Sequence, residues 1–157
     1  MTVSNPAFPL LQAAGTIDLK SSPDDVWRLV RDFDAYDRWH PDVAGVVLLE
    51  GANNAPLAVR EVDLGQGRWL MSELLEWSDE ERRFRYRILK APVPFVNYVG
   101  NVAVLANEGG GSKVRWTAQF RRRPTVDVQA FDDAGVTQVV EQIIRRGLDN
   151  LPVILGE

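Results

Sequence analysis

Val136-Thr-Gln-Val-Val-Glu-Gln-Ile-Ile-Arg-Arg-Gly-Leu-Asp-Asn-Leu151 is the stretch whose reading decides the fold. Val136, Val139, Val140, Ile143, Ile144, Gly147, Leu148 and Leu151 recur at the three-and-four spacing that lines up side chains on one stripe of a helix. A helix so apolar on one side has to lie on another apolar surface. From about Gly15 onward the rest of the chain reads as short strands with one helical interruption, so that surface is a sheet. The expected class is α+β: a seven-stranded, curved antiparallel sheet around a long C-terminal helix, with two short helices between strands 1 and 2. Such an arrangement usually leaves a hollow between sheet and helix, and function is expected there.

The first strand is read at Thr16 to Lys20, where apolar and polar residues alternate. Ser22 as N-cap, Pro23 at the first helical position, and Asp24 and Asp25 in the first turn open a helix that carries Val26, Trp27 and Val30 inward. It is expected to end near Asp32, with a second short helix from Asp34 to His40 stopped by Pro41. Six more strands are expected at Val43–Glu50, Leu57–Leu64, Arg68–Trp77, Arg83–Leu89, Val96–Leu105 and Val114–Arg121. Their short, turn-rich connections predict an antiparallel meander over most of the sheet. Alternation places Phe84, Tyr86 and Ile88 on the inner face and Arg83, Arg85 and Arg87 on the outer one. Val114, Trp116, Ala118 and Phe120 face inward by the same rule, as do Tyr98, Gly100, Val102 and Val104.

The 157 residues suit a single domain with a sizeable core. Residues 1–14, broken by Pro6 and Pro9 and lacking a basic n-region, are expected as a loosely ordered leader rather than a secretory signal, with residues 15–157 as the domain. A cytoplasmic location is expected. No apolar run is long enough to span a membrane, and the net charge of −4 argues against a nucleic-acid partner. Zero cysteines exclude disulfides and thiolate chemistry, one histidine excludes a multi-histidine metal site, and no cofactor is expected. The sequence does not set an oligomeric state.

Several residues could carry chemistry. Arg60 shares its side of the third strand with Ala58, Val62 and Leu64, so alternation aims a guanidinium at the interior, where it needs a carboxylate or a polar ligand. Glu73 is one candidate partner, with Ser72 the alternative, because Arg68–Trp77 is apolar at both parities. A structural ion pair and a ligand-orienting role are both open. Trp39-His40-Pro41 marks a rim of the hollow, where His40 is a candidate general base or simply a packing and hydrogen-bonding residue. Tyr86, Asn97 and Tyr98 are polar handles beside an apolar interior. The arginines at positions 83, 85, 87, 115, 121, 122 and 123 could make a phosphate patch, but their acidic neighbours favour a solvated, ion-paired face.

In order and spacing, Ser22-Pro-Asp-Asp-Val-Trp-Arg-Leu-Val-Arg-Asp-Phe33, Trp39-His-Pro41, Phe84-Arg-Tyr-Arg-Ile88, Pro94-Phe-Val-Asn-Tyr98 and Gly147-Leu-Asp-Asn-Leu151 are similar to the START-like helix-grip superfamily (SRPBCC). The branch they resemble is that of bacterial polyketide cyclase/dehydrase and lipid-transport proteins, over roughly Gly15 to Leu151. The resemblance implies the helix-grip fold and a deep apolar pocket that takes lipids, sterols, polyketides or hormones. Some relatives cyclise or dehydrate an aromatic precursor, and many only bind or carry. An arginine in the third strand followed by a carboxylate in the fourth is common in the branch, which Arg60 and Glu73 match.

The expected function is therefore binding of a small hydrophobic, aromatic or lipid-like molecule. Its ligand-binding candidates are Trp39, Arg60, Phe84, Tyr86, Asn97, Tyr98, Trp116, Ile143 and Gly147. One alternative is a cyclase or dehydratase in which His40, Glu73 or Tyr86 moves a proton. Another is a protein-interaction module that docks through the rim and the Phe8–Leu11 segment.

Overall fold

The computed structural model describes residues 8–124 and 132–157. The elements run β1 Leu11–Leu19, α1 Pro23–Val30, a 3-10 helix Phe33–Arg38, β2 Gly45–Glu50, β3 Val59–Gly65, β4 Arg68–Ser78, β5 Arg83–Lys90, β6 Phe95–Ala106, β7 Ser112–Arg122 and α2 Asp133–Leu155. The strands form one antiparallel sheet in the order β1-β7-β6-β5-β4-β3-β2. This is the expected helix-grip arrangement: a meander from β2 to β7, with β1 returning to pair beside β7. No helix among the described residues is long and apolar enough to cross a membrane.

Local signals set most boundaries. Ser22 caps α1, its hydroxyl accepting from Asp25 N–H at 3.1 Å, and Pro23 takes the position that needs no donor. The second short helix expected over Asp34 to His40 is a 3-10 helix, Phe33–Arg38, kinked at Ala35. Its three-residue period puts Phe33, Tyr36 and Trp39 on one side. β1 starts at Leu11, five residues before the alternation predicted, because Leu11 to Ala14 continue the pairing with Phe120 to Thr117. Residues 1–7 of the expected leader lie outside the described residues.

The inner face is as alternation predicts on β5, β6 and β7, with Phe84, Tyr86, Tyr98, Val102, Val104, Val114, Trp116, Ala118 and Phe120 all buried. A bulge between Val96 and Val99 resets the parity of β6. Phe95 and Tyr98 therefore both face inward, while Asn97, in a left-handed conformation at φ 54°, faces solvent. On α2 the stripe divides. Val136, Val140, Ile144, Gly147, Leu148 and Leu151 are fully buried, whereas Val139 and Ile143 are only half-buried.

Candidate functional site

Val139 and Ile143 are half-buried because they roof a cavity of about 870 Å³ between α2 and the sheet. Leu64, Leu70, Ile88 and Phe95 supply apolar wall, and the segment of residues 91–94 joining β5 to β6 closes one side. Arg68 and Pro92 are the exposed members of the lining, which puts the mouth between the β3–β4 hairpin and that segment. Arg123 fastens the segment, its guanidinium donating to Val93 O at 2.9 Å and to Ala91 O at 3.2 Å.

The inner end of the cavity is polar. Arg60 is 3% exposed and donates from Nε to Ser72 Oγ at 2.8 Å and from Nη1 to the Phe33 carbonyl at 2.8 Å. Its guanidinium carbon lies 4.0 Å from the Phe33 ring centre, 4.7 Å from that of Tyr36 and 5.5 Å from that of Tyr86. Burial lowers its pKa to about 10, which still leaves it charged at neutral pH. Tyr86 and Tyr98 share a hydrogen bond of 2.9 Å between hydroxyls, and the Trp116 indole N–H donates to Tyr86 Oη at 3.1 Å. Burial holds the Tyr36, Tyr86 and Tyr98 hydroxyls above the usual phenol range, so all three are neutral donors and acceptors.

Gly100 is where Tyr86 finds room. A Cβ there would lie 2.5 Å from the tyrosine ring, so the space left by the missing side chain holds the phenol and not a ligand. Gly147 does the same for His40, whose ring packs against α2 2.6 Å from the position a Cβ would take. His40 is 2% exposed, and both of its nitrogens are engaged. Nδ1 accepts from Asp42 N–H at 3.1 Å, which leaves Nε2 to carry the proton and donate to the Ile143 carbonyl at 2.8 Å. Burial lowers the pKa of this imidazole below 6.5. The histidine clasps the corner at residues 39–41 to α2, and it has no nitrogen left to take a proton from a ligand.

Of the sequence candidates, Arg60, Tyr86, Tyr98, Trp116, Ile143 and His40 meet at the cavity. Trp39 and Phe84 sit behind its wall, beside a separate void of about 10 Å³, and Gly147 lies under His40. Glu73 and Asn97 are elsewhere. Glu73 occupies the opposite parity to Ser72 on β4, so it emerges on the outer face and accepts from Arg87 Nε at 2.8 Å. Ser72, fully buried, is the residue that faces Arg60. Asn97 is turned outward by the β6 bulge. Sequence reasoning missed Tyr36 and Arg123. The spacing of Phe33, Tyr36 and Trp39 carried a signal for Tyr36, whereas Arg123 was grouped with the outer-face arginines because nothing marked where β7 ends.

A family model described as polyketide cyclase/dehydrase and lipid transport matches residues 11–153. No curated protein matches. Among solved structures, the chain is similar to an uncharacterized protein from Bacillus thuringiensis, at 25% identity over 94% of this chain and 100% of the other, with a TM-score of 0.82. It is also similar to the protein XoxI from Bacillus cereus, at 25% identity over 92% and 95% of the two chains and a TM-score of 0.79. A protein of Nitrosospira multiformis shares the fold at 21% identity, over 91% and 94% of the chains, with a TM-score of 0.75.

Proposed function

The chain belongs to the polyketide cyclase/dehydrase and lipid transport family, and we propose that it binds a small hydrophobic, aromatic or lipid-like molecule in the cavity under α2. The observation that carries this reading is an apolar chamber of about 870 Å³ ending in a compact polar cluster. Small-molecule sites combine these two features: apolar walls supply affinity at roughly 25 cal/mol per Å² buried, and a few polar groups fix orientation. The engagement of both His40 nitrogens and the placement of Glu73 outside the cavity favour binding over cyclase or dehydratase chemistry. The same reading takes the chain as a cytoplasmic carrier without a nucleic-acid partner. The absence of a nucleic-acid partner is supported by outer-face arginines such as Arg83 and Arg87, which meet Glu76, Glu81 and Glu73.

Titration with the neutral fluorophore N-phenylnaphthylamine tests the proposal. Saturable binding is expected, with an Ile143→Trp variant, which pushes an indole into the chamber, weakening it by about tenfold or more. A wild-type protein that does not bind the probe, or a folded variant that binds it equally well, would refute this use of the cavity.

A further inference from the structure

We infer, resting on the binding reading above, that the ligand is an amphiphile whose polar end is an anion, a carboxylate or equivalent oxyanion, seated against Arg60 at the inner end of the cavity. Of the five N–H donors of a guanidinium, Arg60 uses one on Nε and one on Nη1, leaving three with no protein acceptor among the described residues. No carboxylate among those residues lies within ion-pair distance of it. A buried charge without a counter-ion is costly, and the aromatic rings of Phe33, Tyr36 and Tyr86 offset only part of that cost. The phenols cannot serve as the counter-anion because they are neutral. Glu73 cannot either, because strand parity holds it on the other face.

The charge of the walls points the same way. Among the described residues, Arg60, Arg68 and Arg123 line the cavity against a single carboxylate, Asp42, which already accepts from Arg146 Nε at 2.8 Å. Locally positive walls in a chain of net charge −4 run against the overall balance and raise the concentration of an anion at the mouth. Tyr36, whose ring centre is 4.7 Å from the guanidinium carbon and whose hydroxyl has no hydrogen-bond partner among the described residues, lines the same cavity and offers a second donor. The ligand's tail then runs from Arg60 past Ile88, Val139 and Ile143 towards the opening.

The test compares dodecanoate with dodecanol as displacers of N-phenylnaphthylamine at neutral pH, taking the ratio of the two affinities within each protein so that any general change in binding cancels. In the wild type the carboxylate is expected to bind about tenfold or more tightly than the alcohol, as a charge-assisted hydrogen bond in a dry site predicts. In Arg60→Met the ratio falls to one or below. Arg60→Gln, which keeps a polar group beside Ser72, shows the same fall and carries the test should the methionine variant not fold. A wild-type ratio of one or below, or a ratio unchanged in either variant, overturns the inference alone. Absence of probe binding to the wild type overturns the binding reading and this inference with it.

Discussion

Under α1, Trp27 packs against Trp77 and Phe84 with ring centres 5.7 and 6.3 Å apart, whereas under Val139 and Ile143 an equally aromatic wall encloses a chamber of about 870 Å³. Both ends of the grip are built from inward-facing rings on the same sheet. At the packed end α1 lays Val26, Trp27 and Val30 across the strands, and both indole N–H groups find partners, Trp27 on Asp79 at 2.7 Å and Trp77 on the Arg31 carbonyl at 2.9 Å. At the hollow end the space under α2 is walled by Tyr36 of the 3-10 helix, the segment of residues 91–94 and the β3–β4 hairpin. There Tyr86 bonds to Tyr98 and Trp116, and Arg60 to Ser72. Aromatic content therefore does not decide whether an interior is filled. What differs is that α1 presses its side chains onto the strands, whereas α2 spans the chamber at Val139 and Ile143.

The contrast is open to attack at both ends. Trp27→Ala is expected to cost about 3–5 kcal/mol in urea unfolding while leaving N-phenylnaphthylamine binding intact, because its cavity would open away from the chamber. Loss of probe binding in a folded Trp27→Ala protein would mean that the two ends are not independent.

Neighbouring positions on α2 give a sharper comparison. Leu148→Ala, in the fully buried part of the stripe, is expected to cost about 2–5 kcal/mol, against less than about 1 kcal/mol for Ile143→Ala, whose side chain already borders empty space. Equal costs would show the chamber to be packed in solution. Gly147→Ala falls between them at about 1–2 kcal/mol. The gain in helix propensity is outweighed by contact with His40 and Trp116, whose rings are held by their own hydrogen bonds.

His40 supplies a pH test of the clasp. Its folded pKa lies below 6.5, so the unfolded chain binds the proton first as pH falls. The histidine's contribution to stability is thus complete above about pH 6.5 and is lost progressively below it, until the folded imidazole itself titrates. Urea midpoints measured between neutral pH and about pH 5 should decline in the wild type and decline less in His40→Gln, a window that lies above the range in which carboxylates protonate. Parallel declines would show that the ring is not held neutral. The smallest effect belongs to Glu73→Gln, expected within about 0.5 kcal/mol of the wild type because its partner Arg87 is half exposed. A large loss would restore Glu73 to the interior.

Much of this molecule was legible before any coordinates. Ser22 and Pro23 announced α1, the stripe from Val136 to Leu151 announced α2, and two-residue alternation placed Tyr86, Trp116 and Arg60 inside. The site was legible only in part. Tyr36 depended on the 3-10 period of a short helix whose type the sequence left open, and Asn97 depended on a bulge that shifts parity without an obvious mark in the sequence. Arg60 could be aimed inward from its own strand, but whether Ser72 or Glu73 faced it was a question of which parity β4 buries.

What the sequence determined by itself was the direction of side chains along each element, because backbone geometry repeats every two residues in a strand and every three or four in a helix. Only the tertiary structure decided which of those inward groups are covered, which are paired and which border a void: the fate of His40's two nitrogens, the absence of a carboxylate beside Arg60 among the described residues, and the roof over the chamber. Those depend on how strands register and where helices land, and such contacts join residues more than a hundred positions apart, as His40 and Ile143 are. No local pattern encodes them.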